Sequence, residues 1–249
     1  MHKLFFIFSF ILFSVNSFAQ GYCYMKEEFS HFFPVSNGYL VNHTYYSLSY
    51  SEQYEQAEWV FYEIKKGRIL GLASRTNNFK EDPKLETGSS SLADYKGTGY
   101  DRGHLAPAGD MSFTNIAMNE SFYMSNISPQ HPSFNRGIWK NLESLVRSWG
   151  INSSIYIVTG PVLNDCSTTI GSNHVCVPEY YYKIIYNPSK QKMIAFVMLN
   201  EKGEFELSHY ATSVDDVEKI TGIDFFPGLE NKLERRLESE LDKGYWIND

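Results

Sequence analysis

The sequence predicts an α+β domain. Strand-like segments rich in β-branched and aromatic residues stand far apart, other segments carry apolar residues at helical spacing, and the two kinds do not alternate as in a parallel βαβ sheet. The chain has 249 residues, 43% hydrophobic, 16% aromatic and 20% charged. That is enough apolar material for one large core, and it excludes collagen-like, coiled-coil and disordered chains. Residues 45–50 (YYSLSY), 59–64 (WVFYEI), 155–158, 180–186 and 193–199 read as strands bounded by turn signals. Residues 114–123 and 136–149 have helical spacing, and Leu229, Leu233, Leu237 and Leu241 repeat every four positions between charges, as on an amphipathic helix. The Gly- and Ser-containing stretch 86–99 reads as a surface loop leading into the centre of the chain.

The N-terminus predicts export. Lys3 precedes the apolar run LFFIFSFILFSV (4–15) and the small-residue region Ser17-Phe18-Ala19. This is the pattern of a cleaved signal peptide over residues 1–19, too short in its apolar run to be a membrane anchor. A single domain over 20–249, secreted or periplasmic, is expected to follow. The formal charge of −7 excludes a strongly basic nucleic-acid binder as a description of the whole molecule, though not a local basic patch. Cys166 and Cys176 flank the polar stretch STTIGSNHV and are expected to form a local disulfide in an oxidising compartment. Zinc is the alternative, but neither cysteine belongs to a C-x-x-C pair and His174 stands alone beside them. Cys23 is left over.

Chemistry-bearing residues concentrate between Arg75 and Arg147. At their heart lies Asp101-Arg102-Gly103-His104, followed by LAPAGD. Histidine takes and gives a proton near neutral pH, which suits general-base work beside an anionic substrate. Gly97, Gly99 and Gly103 do not match the dinucleotide-loop spacing. FYMSNISPQ (122–130) and FNRGIWKNLE (134–143) form two further blocks. On a regular helix Ile138, Trp139, Leu142, Leu145, Val146 and Trp149 share an arc of about 120°, whereas Arg136, Lys140 and Arg147 fall within about 40° of one another opposite it. That predicts a basic ridge suited to a nucleic-acid strand. Asn135 and Glu143 would stand about 12 Å apart along such a helix and about 80° around it, too far to ligate one ion directly. An amide oxygen at the helix entry, with Glu143 reaching through a water, suits Mg²⁺ and not zinc.

In order and spacing, the three blocks resemble the DNA/RNA non-specific endonuclease family. Weaker likeness runs from Tyr45 through Ser74-Arg75-Thr76-Asn77 and Thr159-Gly160-Pro161 to TGIDFF (221–226). The resemblance implies a ββα-metal (His-Me finger) core with a central, mainly antiparallel sheet flanked by helices. It implies His104 as general base, Asn135 as the direct ligand of Mg²⁺ (Mn²⁺ substituting) and Glu143 as a ligand through water. Arg75 would neutralise charge on the reacting phosphate. Arg102 and Asn126 would support the site, and Asp101 would brace the motif by hydrogen bonds. The implied reaction is hydrolysis of DNA and RNA to 5′-phosphate products. A homodimer and an inhibitor protein stay open as partners. Two rival readings remain: an inactive nuclease-like binding module, and a phosphodiesterase for small phosphoesters.

Overall fold

Strands β1 (Tyr39–Asn42), β2 (Tyr46–Ser51) and β3 (Gln56–Ile64) open the computed structural model, which describes residues 29–164 and 166–247. The expected leader over residues 1–19 and Cys23 lie outside the described residues. Next come α1 (Leu92–Tyr95), β4 (Asp101–His104), α2 (Asn115–Glu120), β5 (Ile127–Gln130), α3 (Lys140–Asn152) and β6 (Ile155–Pro161). They are followed by β7 (Thr169–Ile170), β8 (Val175–Cys176), β9 (Tyr180–Asn187), β10 (Lys192–Leu199) and β11 (Ala211–Thr212). Helices α4 (Val214–Thr221), α5 (Asn231–Ser239) and α6 (Lys243–Trp246) close the chain. Seven strands form one antiparallel sheet in the order β1-β2-β3-β6-β9-β10-β11. The five expected strands all lie in it, so the α+β class and the antiparallel sheet stand.

Its central strands bury both faces, which is why they read as nearly unbroken apolar runs. Successive side chains point to opposite sides. Tyr62, Ile157, Tyr181, Ile185 and Phe196 pack on one side with Phe134, Trp139, Leu142 and Val146. Phe61, Val158, Tyr182, Ile184 and Ala195 pack on the other with Val214, Val217, Phe225, Phe226 and Leu237. Helix α3 thus lies on one face of the sheet and α4 and α5 on the other.

The helices are shorter than their periodicity predicts. Thr114 caps α2, its hydroxyl accepting from Ala117 N at 3.1 Å. Glu230 starts α5 by accepting from the backbone of Lys232 and Leu233, so Leu229 and Leu241 fall beyond its ends. Within the expected loop 86–99, α1 forms with a Ser91–Asp94 capping box. Cys166 and Cys176 are disulfide-bonded, and the β7–β8 hairpin forms within the segment they close. Among the described residues no helix is long and apolar enough to cross a membrane.

Candidate active site

The DRGH segment is itself a strand. β4 pairs antiparallel with β5, setting Arg102 opposite Pro129 and His104 opposite Ile127. Gly103 leaves room there for the Gln130 side chain, which a Cβ would displace. Asn126, expected to support the site, is fully buried and does not line the cleft. Its Oδ1 accepts from Ala106 N at 2.8 Å, and its Nδ2 donates to Ala106 O and Ser121 O at 3.0 and 2.8 Å. With every amide group committed to backbone, it ties the chain after His104 to the turn before β5.

A correction concerns the helix after β5. Residues Phe134–Trp139 form a wide π-type turn, and Gly137, lacking a side chain, takes φ −106° and ψ −114°, outside the helical region. Regular α-helix begins at Lys140. The regular-helix separation of Asn135 from Glu143 therefore does not apply, and both side chains line one cleft.

That cleft has a volume of about 560 Å³. It collects His104, Arg75, Arg102, Asn135, Glu143 and the expected ridge of Arg136, Lys140 and Arg147. Five cationic side chains and one carboxylate therefore meet on a molecule whose net charge is −7. A larger cavity of about 660 Å³ beside Phe205 and Tyr210 holds none of the candidate residues.

His104 is 8% exposed, with the Phe122 and Phe79 rings 4.8 and 5.6 Å away. The same two rings carry the flanking cations: Arg75 lies 5.0 Å from the Phe122 centroid and Arg102 4.4 Å from that of Phe79. Burial first, and then these two guanidiniums, depress the His104 acid to about 3. The imidazole is accordingly neutral at physiological pH, with Nε2 buried and without a hydrogen-bond partner among the described residues.

Asn135 Nδ2 donates to Asp101 Oδ2 at 2.8 Å. A carboxylate only accepts, so this bond fixes the amide orientation and leaves Asn135 Oδ1 as the free oxygen. Asp101 also accepts from Arg136 Nε and Nη2, at 2.8 and 2.5 Å. Burial raises the Asp101 acid, but the bonds from Arg136 and Asn135 outweigh it and hold the carboxyl below its ordinary range.

Two buried residues to which the sequence assigns no role interact with the cleft's Arg147 and Glu143. Asp110 is buried, accepting from Arg147 Nε at 2.5 Å and from the Tyr62 hydroxyl at 3.1 Å. Lys183, on β9, is fully buried with its ammonium 4.8 Å from the Trp139 ring and without a hydrogen-bond partner among the described residues. Burial lowers the Lys183 acid, while Glu143 and Asp110 draw it back up. Burial raises that of Glu143, and Lys183 pulls against it. The signal for Lys183 was a lone charge in the strand YYYKIIYN, on the same alternation as Tyr181 and Ile185. Arg136 and Arg147 meet the cleft as members of ion pairs, not as the bare cations that a solvated ridge implies.

The sequence profile of the DNA/RNA non-specific endonuclease family matches residues 26–232. The chain belongs to this family. It is 36% identical over 237 residues to the mitochondrial nuclease EXOG of Mus musculus, a match covering 87% of this chain and 64% of the mouse protein. It is also 36% identical over 205 residues to nuclease C1 of Cunninghamella echinulata, covering 74% and 81% of the two chains. A solved complex of EndoG with EndoGI, described as showing the mechanism of EndoG inhibition, superposes with a TM-score of 0.75. That neighbour is 29% identical, and the match covers 84% of this chain and 94% of that one. The chain thus spans just under two thirds of the EXOG length. For a non-specific endonuclease fold, the β4–β5 ribbon and the kinked helix are the two elements that bring the cleft together.

Proposed function

We propose that the chain is a secreted or periplasmic, metal-dependent endonuclease that hydrolyses phosphodiester bonds in DNA and RNA, leaving 5′-phosphates. One observation carries this reading: a histidine held neutral shares a cation-rich cleft with an amide oxygen that Asp101 keeps free. Neutral His104 accepts the proton of the attacking water. Arg75 and Arg102, beside it, stabilise the charge that grows on the phosphate. Arg136, Lys140 and Arg147 hold the strand through its backbone, and phosphate contacts carry no direct sequence information, so DNA and RNA both fit.

The donor set fits a hard divalent ion. Asn135 Oδ1 and the Glu143 carboxylate are both oxygens, and among the described residues no trio of His, Cys, Asp or Glu converges at the cleft. So sparse a set suits Mg²⁺, with Mn²⁺ substituting, better than zinc. Bound there, the ion supplies Lewis-acid stabilisation of the phosphate and a template for the leaving oxygen. Export rests on the residues 1–19 pattern and on the disulfide, which suits an oxidising compartment. Its single Lys and absence of Arg distinguish that segment from an Arg-rich mitochondrial transit peptide.

Plasmid nicking with Mg²⁺, with excess EDTA and with His104→Ala tests the proposal, alongside RNA and a small chromogenic phosphodiester. Cleavage of both polymers, abolished by EDTA and by His104→Ala, is expected. Full activity of His104→Ala, or in excess EDTA, defeats the mechanism. Turnover of the small diester alone defeats the substrate assignment.

A further inference from the structure

Across the sheet from the cleft, α4 and α5 bring three carboxylates together. Asp215 and Glu218 lie one turn apart on α4, and Glu238 sits near the end of α5. One oxygen from each lies within 4.8 Å of the others. Asp216, between the first two in sequence, is already satisfied: it accepts from Lys219, Thr212 and Ser213 at 2.8–2.9 Å. Glu238 is different. It is 6% exposed, and its Oε1 is buried with no hydrogen-bond partner among the described residues, although Leu237 beside it packs into the core. An unsatisfied carboxylate oxygen inside a protein is costly, more so among like charges.

We infer that Asp215, Glu218 and Glu238 form a structural calcium site that clamps α4 to α5, separate from the catalytic cleft. An all-oxygen set selects a hard cation. Three protein carboxylates in one cluster suit Ca²⁺, which takes about six to eight oxygens in flexible geometry, better than Mg²⁺, which demands a near-ideal octahedron and keeps several waters. One more contact ties the site to the fold: Glu218 Oε1 accepts from Phe225 N at 2.9 Å, joining it to the loop that packs Phe225 and Phe226 under the sheet. The rival occupant is a proton. Burial first, then the carboxylates of Glu218, Glu234, Asp215 and Asp224, push the Glu238 acid up to about 8.

Thermal unfolding of the full chain carrying Asn135→Ala, which removes the cleft's amide ligand, separates the two sites. CaCl₂ at one hundred times its Kd is expected to raise Tm by about 5–10 °C, reversed by EGTA. Adding Glu238→Gln should cut that shift below about 1 °C. In an otherwise unaltered chain Glu238→Gln should leave nicking in Mg²⁺ unchanged, since it touches nothing in the cleft. Asp215→Asn, at a half-exposed position, gives the same loss of calcium response should Glu238→Gln not fold. The inference is overturned by an absent calcium shift, by a shift that survives both substitutions, or by a gain in Tm on acidification to pH 6 with no calcium response.

Discussion

Removing the Asp101 carboxylate should weaken metal activation far more than it weakens the fold. Asp101 makes one hydrogen bond to Asn135 and two to Arg136, all at 2.5–2.8 Å. The Arg136 pair contributes little, because that side chain is 72% exposed and solvent-screened. The Asn135 bond is the consequential one. Without an acceptor-only partner, the Asn135 amide is free to turn its NH₂ toward the cleft and present a donor where an oxygen is needed. A charge-assisted bond of this kind contributes about 1.5–3 kcal/mol, and loss of such a partner behind a ligand lowers metal affinity by about 10–100-fold. The assay is nicking rate against free Mg²⁺. Asp101→Ala should raise the half-saturating concentration by about 10–100-fold while the saturated rate falls much less. Asp101→Asn, which keeps one accepting oxygen, should lie between. An unchanged half-saturation point, or a loss confined to the saturated rate, refutes the argument.

Three other outcomes follow from the same geometry. Below pH 6.5 the unfolded chain takes up a proton at His104, whereas the folded chain does not until about pH 3, so stability falls with pH across that window. Between pH 7 and 5 this residue accounts for about 2 kcal/mol, and urea unfolding of His104→Gln should show that much less pH dependence. Lys183→Met removes the charge that opposes the burial-driven rise of Glu143, so the acid limb of kcat/KM should move to higher pH, with activity falling more at pH 7 than at pH 9; equal losses at both would assign Lys183 a purely structural part. Cys166→Ser opens a bridge of sequence separation 10 and should cost about 2–3 kcal/mol, lowering Tm by about 5–10 °C; an unchanged Tm would show that the bridge does not constrain the chain.

Much of this was legible in the chain itself, for definite reasons. The five strands expected from residue type all formed, because burial on both faces demands β-branched and aromatic runs. The cleft residues were legible because DRGH, SNISPQ and FNRGIW keep chemistry-bearing residues close in sequence. Where reading failed, long-range structure decided. Periodicity could not reveal the backbone of Gly137, which breaks the helical register and turns Asn135 and Glu143 to one cleft. That Asn126 acts through the backbone of Ala106 and Ser121, and not in the cleft itself, follows only from the folded positions of those segments. Lys183 meets Trp139 only through pairing of β9 within the sheet, so no local pattern announces the contact.

The sheet's two covered faces look in opposite directions, with the cleft and α3 on one side and α4 and α5 on the other. Coupling the molecule to a bead or a carrier through α5 would leave the opposite side open to solution. Long polymers could then thread past the immobilised molecule without the support standing in their path.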